Sequence, residues 1–193
     1  MRKVRRDEVL DLVAYERARP EYLEHVIAMK KARRIFVGDR LTFVFENRDT
    51  VRFQIQEMLR AERAVKEEKI EDEIAVYNEL VPGASELSAT LMIEITDQKR
   101  IRPELDRLVG IDEHVFLDVG GERVRATFDP KQFESDRISA VQYVRFPLGA
   151  ALARKFADPA VPAALVVEHP RYRESTPLVG ASRASLAADL AEP

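Results

Sequence analysis

Residues 114–128, HVFLDVGGERVRATF, set the fold class. After the glycine pair, Val124, Ala126 and Phe128 alternate with Arg123, Arg125 and Thr127, the period of a strand with one face buried. Gly120-Gly121 accepts the positive φ angles of a primed two-residue turn, so the stretch predicts an antiparallel hairpin. Further strands are expected on both sides of it. ISAVQYVRFPL (138–148) reads as a strand ended by Pro147, and ELSATLMIEIT (86–96) as another. RIFVGDRLTFVFEN (34–47) reads as two strands through Ile35, Val37, Leu41, Phe43 and Phe45. Gly38-Asp39 between them suits a two-residue type II′ turn, which takes glycine first.

Helical periods fill the intervals. Asp7 can cap a first helix carrying Val9, Leu10, Leu12 and Val13, and Pro20 can open a second, EYLEHVIAMKKARR, with Leu23, Val26 and Ile27 inward. Lys30, Lys31, Arg33 and Arg34 then sit at the negative end of that helix's dipole. Asp49 or Thr50 caps a helix whose apolar face is Val51, Ile55, Met58 and Leu59. After a polar break, Ile70, Ile74, Tyr77 and Val81 resume the period until Pro82-Gly83 stops it, giving two helices or one bent one. RPELDRLVG (102–110) is a short helix closed by Gly110. From Gly149 the chain reads as a short helix, a linker, a strand AALVVEH (163–169) and an Ala-rich peripheral tail. Hairpins and helices of unequal length, without regular βαβ alternation, predict an α+β fold. It is an antiparallel or mixed sheet built from hairpins, with helices mainly on one face. The expected organisation is a core domain over 1–148 and an appendage over 149–193.

Composition narrows the chemistry. The 193 residues contain no cysteine, which removes disulfides, a thiolate nucleophile and protein-held zinc-thiolate or iron–sulfur sites. Basic and acidic residues number 31 and 34 and interleave, for a net charge of -3, so nucleic acid is not an expected partner. MRKVRRDEVLDLV meets Asp7, Glu8 and Asp11 before any apolar core, and no apolar run is long enough for a bilayer, so the expectation is cytoplasmic and off the membrane.

His25, His114 and His169 each follow a glutamate, Glu24, Glu113 and Glu168. Adjacent side chains diverge by ~100° on a helix and point oppositely on a strand, so these pairs are poor chelators; Glu21 with His25 is the one helical i,i+4 pair. No metal ligand set and no cofactor is therefore predicted, and no nucleophile motif or phosphate loop occurs. The favoured ligand site is an arginine-rich helix face, Arg48, Arg52, Gln56 and Arg60, where guanidinium forks suit a carboxylate or phosphate. Nearby Asp49, Glu57 and Glu62 offer the plainer alternative of solvated ion pairs. Gln142, Arg145 and Glu94 interrupt strands and either line a cleft with that face or point to solvent.

FENRDTVRFQIQEMLRAER (45–63), YNELVPG (77–83), ELSATLMIEI (86–95), HVFLDVGGERVRATFD (114–129) and SAVQYVRFPL (139–148) resemble a bacterial domain-of-unknown-function family, the one numbered thirty-five-oh-one. The resemblance runs from the first helix to about Leu148. Its members tend to be encoded beside rubrerythrin-like di-iron proteins and iron–sulfur oxidoreductases. This implies an accessory, non-catalytic role in oxidative-stress defence beside a redox partner of that type; it carries no catalytic residues. The alternatives are a small-anion binding module on the arginine helix and a metal-dependent enzyme with His and carboxylate ligands. Homodimerisation through an open sheet edge is left open.

Overall fold

The computed structural model describes residues 1–129, 133–134 and 137–191. Helix α1 spans Leu12–Arg33, and Asp11 caps it by accepting from the Ala14 amide at 2.9 Å. Asp7 instead lies in a 3-10 turn, Arg6–Glu8. Pro20 sits inside α1 rather than opening a second helix; Glu16, Arg17, Pro20 and Glu21 are exposed there, so solvent can serve the carbonyl that proline leaves unbonded. Strands β1 (Arg34–Val37) and β2 (Leu41–Glu46) follow. Val37 pairs with Leu41, so the loop holds three residues, not two. Gly38 has φ +66°, and a Cβ there would lie 2.2 Å from the Tyr172 hydroxyl, so both conformation and space require glycine.

Helix α2 (Arg48–Ala61) starts from Asn47, whose side chain accepts from the Thr50 amide while Thr50 accepts from the Asn47 amide. This reciprocal box displaces the expected Asp49 or Thr50 cap. Val51, Ile55 and Leu59 bury one stripe of α2, each contributing about 1.5–3 kcal/mol of apolar burial. Helix α3 (Glu67–Asn78) is separate, divided from α2 by Arg63 at φ +50°. Strand β3 (Glu86–Ile93), helix α4 (Ile101–Arg107), β4 (Val115–Val119) and β5 (Glu122–Arg125) come next. Val119 pairs with Glu122 around Gly120-Gly121, whose φ angles are 61° and 87°, as the sequence requires. The expected strand past Ala126 divides: β6 (Thr127–Phe128) leaves β5 and joins the other sheet. Strands β7 (Phe133–Glu134) and β8 (Arg137–Ile138) pair with each other, and β9 spans Val141–Pro147. Helix α5 (Gly149–Ala157), β10 (Ala163–His169), β11 (Tyr172–Pro177) and helix α6 (Gly180–Ala191) complete the chain.

All pairings are antiparallel, in a five-stranded sheet ordered β1-β2-β3-β9-β6 and a four-stranded sheet ordered β11-β10-β4-β5. The fold is α+β. One apolar core takes Phe43, Phe45, Leu91 and Phe146 from the first sheet, Leu117 and Leu165 from the second, and Phe156 and Leu186 from α5 and α6. A second cluster joins α2, α3 and the N-terminal segment through Val4, Val9, Val51, Ile55, Ile70 and Val81. Tyr143 of β9 packs against it, which places this cluster on the outer face of the five-stranded sheet.

The segment expected as an appendage is built into the larger core. Strand β10 lies inside the second sheet between β11 and β4. Helix α6 buries Leu186 together with Arg183 and Asp189, two charged positions that its Ala-rich pattern conceals. Arg183 donates to the Phe156 carbonyl at 2.6 Å and lies over that ring at 3.9 Å. Asp189 forms a buried ion pair with Arg33, which also donates to the carbonyls of Phe45 (2.8 Å) and Glu46 (3.0 Å). The tail thus fixes the end of β2.

Candidate functional site

Glu46 ends β2 and opens onto a cleft of about 230 Å³ on the outer face of the five-stranded sheet. Register assembles its floor. Glu46 pairs with Ser88, Ser88 with Arg145, and Arg145 with Thr127. Four consecutive strands thereby present one polar row, with neighbours about 4.8 Å apart. Tyr143 and Asp129 add polar groups, Leu80, Phe128 and Val144 add apolar surface, and Glu79 closes one side from the segment after α3. Ser88 pins that segment by donating to the Leu80 carbonyl at 2.5 Å.

Glu46 is 3% exposed. One carboxylate oxygen accepts from the Thr50 hydroxyl at 2.5 Å, the other from the Thr90 hydroxyl at 2.8 Å. Among the described residues no cation forms an ion pair with it. A buried carboxylate held only by hydroxyls is costly, and it is the group in this cleft most in want of a positive partner. Arg145 is ion-paired to Glu86. Lys3 is not part of the lining; it donates to the carbonyls of Asn78 (2.6 Å) and Val81 (3.0 Å), which flank Glu79 and Leu80 in the chain. Burial, and then Arg145, lower its pKa, while Glu86 and Glu79 act the other way. Asn78 ties the N-terminus alongside, exchanging two hydrogen bonds with the Val4 main chain at 2.8 and 2.9 Å.

The arginine helix face lies elsewhere, and residues of the N-terminal segment and of α1 engage all four of its residues. Arg48 ion-pairs with Glu8, while its buried Nε has no acceptor among the described residues. Arg52 donates to the Tyr22 hydroxyl at 2.8 Å and stands over that ring. Gln56 is buried and bonds both main-chain groups of Leu10, and Arg60 pairs with Glu16 at 2.6 Å. None of the four lines the cleft over the sheet. Arg145 does line it; Gln142 points into the core, its Oε1 without a partner among the described residues, and Glu94 is exposed on another surface. His114 and His169 meet edge to face, ring centroids 5.4 Å apart, whereas His25 is exposed on α1. Among the described residues no three His, Asp or Glu side chains gather closely enough to share an ion. No described helix is long and apolar enough to cross a membrane.

The cleft draws on every string that carried the family resemblance. Glu46 comes from the first, Glu79 and Leu80 from the second, Ser88 from the third, Thr127 to Asp129 from the fourth, and Tyr143 to Arg145 from the fifth. Comparison with known proteins extends the resemblance further along the chain. No curated protein matches. A crystal structure of a novel protein of unknown function from Burkholderia pseudomallei K96243 superposes with a TM-score of 0.91 and 38% sequence identity, over 98% of this chain and 100% of that one. The model of the family described as "Protein of unknown function (DUF3501)" matches residues 3–190, reaching past Leu148 through α6. The chain belongs to the DUF3501 family.

Proposed function

We propose that this chain is a non-catalytic accessory protein that binds a small cationic molecule, of the primary amine or guanidinium class, in the cleft over the five-stranded sheet. Glu46 carries the reading. It is buried, lines the cleft, and accepts from two hydroxyls without an ion-pair partner among the described residues. A ligand cation would supply the missing charge. Glu79 and Asp129 add negative field at the walls. The volume of about 230 Å³ lies below the usual range for drug-sized ligands, which favours a compact molecule.

A thermal-shift panel of putrescine, agmatine and arginine tests this. The expected result is a raised melting temperature with at least one of the three, lost in Glu46→Gln. A shift that persists in Glu46→Gln removes the carboxylate from the site. The accessory role extends to the partner that the family resemblance implies, a rubrerythrin-type or iron–sulfur oxidoreductase protein. A chain without cysteine leaves thiolate and cluster chemistry to such a partner. Gentle co-purification of the tagged chain from its host should recover that partner; recovery of the chain alone would count against it.

A further inference from the structure

A second cleft, of about 700 Å³, opens at the joint between the two sheets. Arg40 reaches it from the β1–β2 loop, Arg107 from the end of α4, Arg171 from the β10–β11 turn and Arg173 from β11. Four guanidiniums there face two carboxylates, Asp39 and Glu174, on a chain whose net charge is -3. Two of the four are held in place by a buried carboxylate. Glu104 is 5% exposed, ion-paired to Arg40 and Arg100, and 3.3 Å from Arg107.

The walls are fastened without the other two. The Tyr172 hydroxyl donates to the Val37 carbonyl at 2.6 Å and accepts from the Arg40 amide at 3.2 Å, tying β11 to the β1–β2 loop. His169 Nδ1 accepts from the Arg171 amide at 3.3 Å, and its Nε2 donates to the Val109 carbonyl at 3.1 Å, tying the β10–β11 turn to the segment after α4. The guanidiniums of Arg171 and Arg173 have no hydrogen-bond or ion-pair partner among the described residues. Exposed cations that structure does not consume, set beside two cations that a buried acid orients, make a preorganised receptor for oxygen anions.

We propose that this cleft binds a phosphate-bearing small molecule through Arg171 and Arg173, with Arg40 and Arg107 at its back. Counting Glu104 and its partner Arg100 with the lining, five guanidiniums meet three carboxylates, and the excess of two positive charges is more than one carboxylate group balances; a phosphate-bearing ligand supplies that charge and the oxygens for paired contacts. The volume falls within the range of small-molecule sites.

Calorimetric titration of inorganic pyrophosphate into the full chain at physiological ionic strength tests the assignment. Saturable binding is expected. The Arg171→Ala/Arg173→Ala double variant should weaken it about tenfold or more. Arg125→Ala/Arg154→Ala, which removes two exposed arginines elsewhere, should leave it unchanged. No saturable binding to the wild type, or equal weakening in both double variants, overturns the site. Citrate bound as tightly as pyrophosphate overturns the phosphate assignment.

Discussion

The cleft over the five-stranded sheet encloses about 230 Å³ and sets three carboxylates, Glu46, Glu79 and Asp129, against Arg145. The cleft at the sheet joint is about 700 Å³ and sets four guanidiniums against two carboxylates. They differ also in construction. The first is a row of β-register, and Glu46 within it is buried, braced through its main chain by Arg33. The second is a meeting of loops and strand ends, and the guanidiniums of Arg171 and Arg173 in it have no hydrogen-bond or ion-pair partner among the described residues. Where the functional group is buried, ligand and fold compete for it; where it is exposed, the two separate. Variants should therefore affect the clefts independently.

The largest effect is expected from Asp189→Ala. It strands Arg33, whose side chain is 1% exposed, without its counter-charge, and should lower stability by about 3–5 kcal/mol in urea denaturation. Burial raises the Asp189 pKa, with the hydrogen bond and charge of Arg33 acting the other way. The displaced end of β2 should weaken amine binding while the folded fraction still binds pyrophosphate. Equal damage to both ligands would break the separation. Tyr172→Phe comes next. It leaves the buried Val37 carbonyl without its donor, an effect of about 1–3 kcal/mol, and should loosen the arginine cleft alone.

Glu46→Gln is expected to act in the opposite direction on stability. Removing a buried charge of nearly the same shape should raise stability by about 1 kcal/mol while removing amine binding. A less stable Glu46→Gln would assign the carboxylate to structure.

The smallest expected effect is a pH dependence at the arginine cleft. Burial lowers the His169 pKa below 6.5, with His114 and Arg171 adding to the shift and the Val109 bond opposing it. The fold thus favours the neutral ring, which keeps Nδ1 free to accept from Arg171. Its contribution is present above pH 6.5 and lost as pH falls through the lower folded value. His169→Asn should flatten that part of a stability-versus-pH curve, and an unchanged curve would show that the ring does not couple to the cleft wall.

The hairpin at Gly120-Gly121 was legible because a two-residue primed turn leaves a local signal. The sheet change at Ala126 was not, since alternation continues through it while the pairing partner changes. Glu46 reads as the polar end of a strand; only the pairing of β2, β3, β9 and β6 aligns it with Ser88, Arg145 and Thr127. Of the strand residues marked in the sequence, Arg145 lines a cleft with that row. The arginine helix drew attention through periodic spacing, but spacing along α2 says nothing of Glu8, Tyr22 and Glu16, which arrive from distant positions to meet it. Arg40, Arg107, Arg171 and Arg173 share no periodicity at all, and β11 hides its strand character behind Arg173, Glu174 and Ser175.

The central claim is that Glu46 is the anionic anchor of a cation site. Calorimetric titration of putrescine into the wild type and Glu46→Gln, with the melting temperature of each recorded, tests it most directly. The expected result is saturable one-to-one binding to the wild type and at least about a tenfold loss in a variant that melts no lower. Equal affinity in the two proteins, or no binding to either, contradicts the claim.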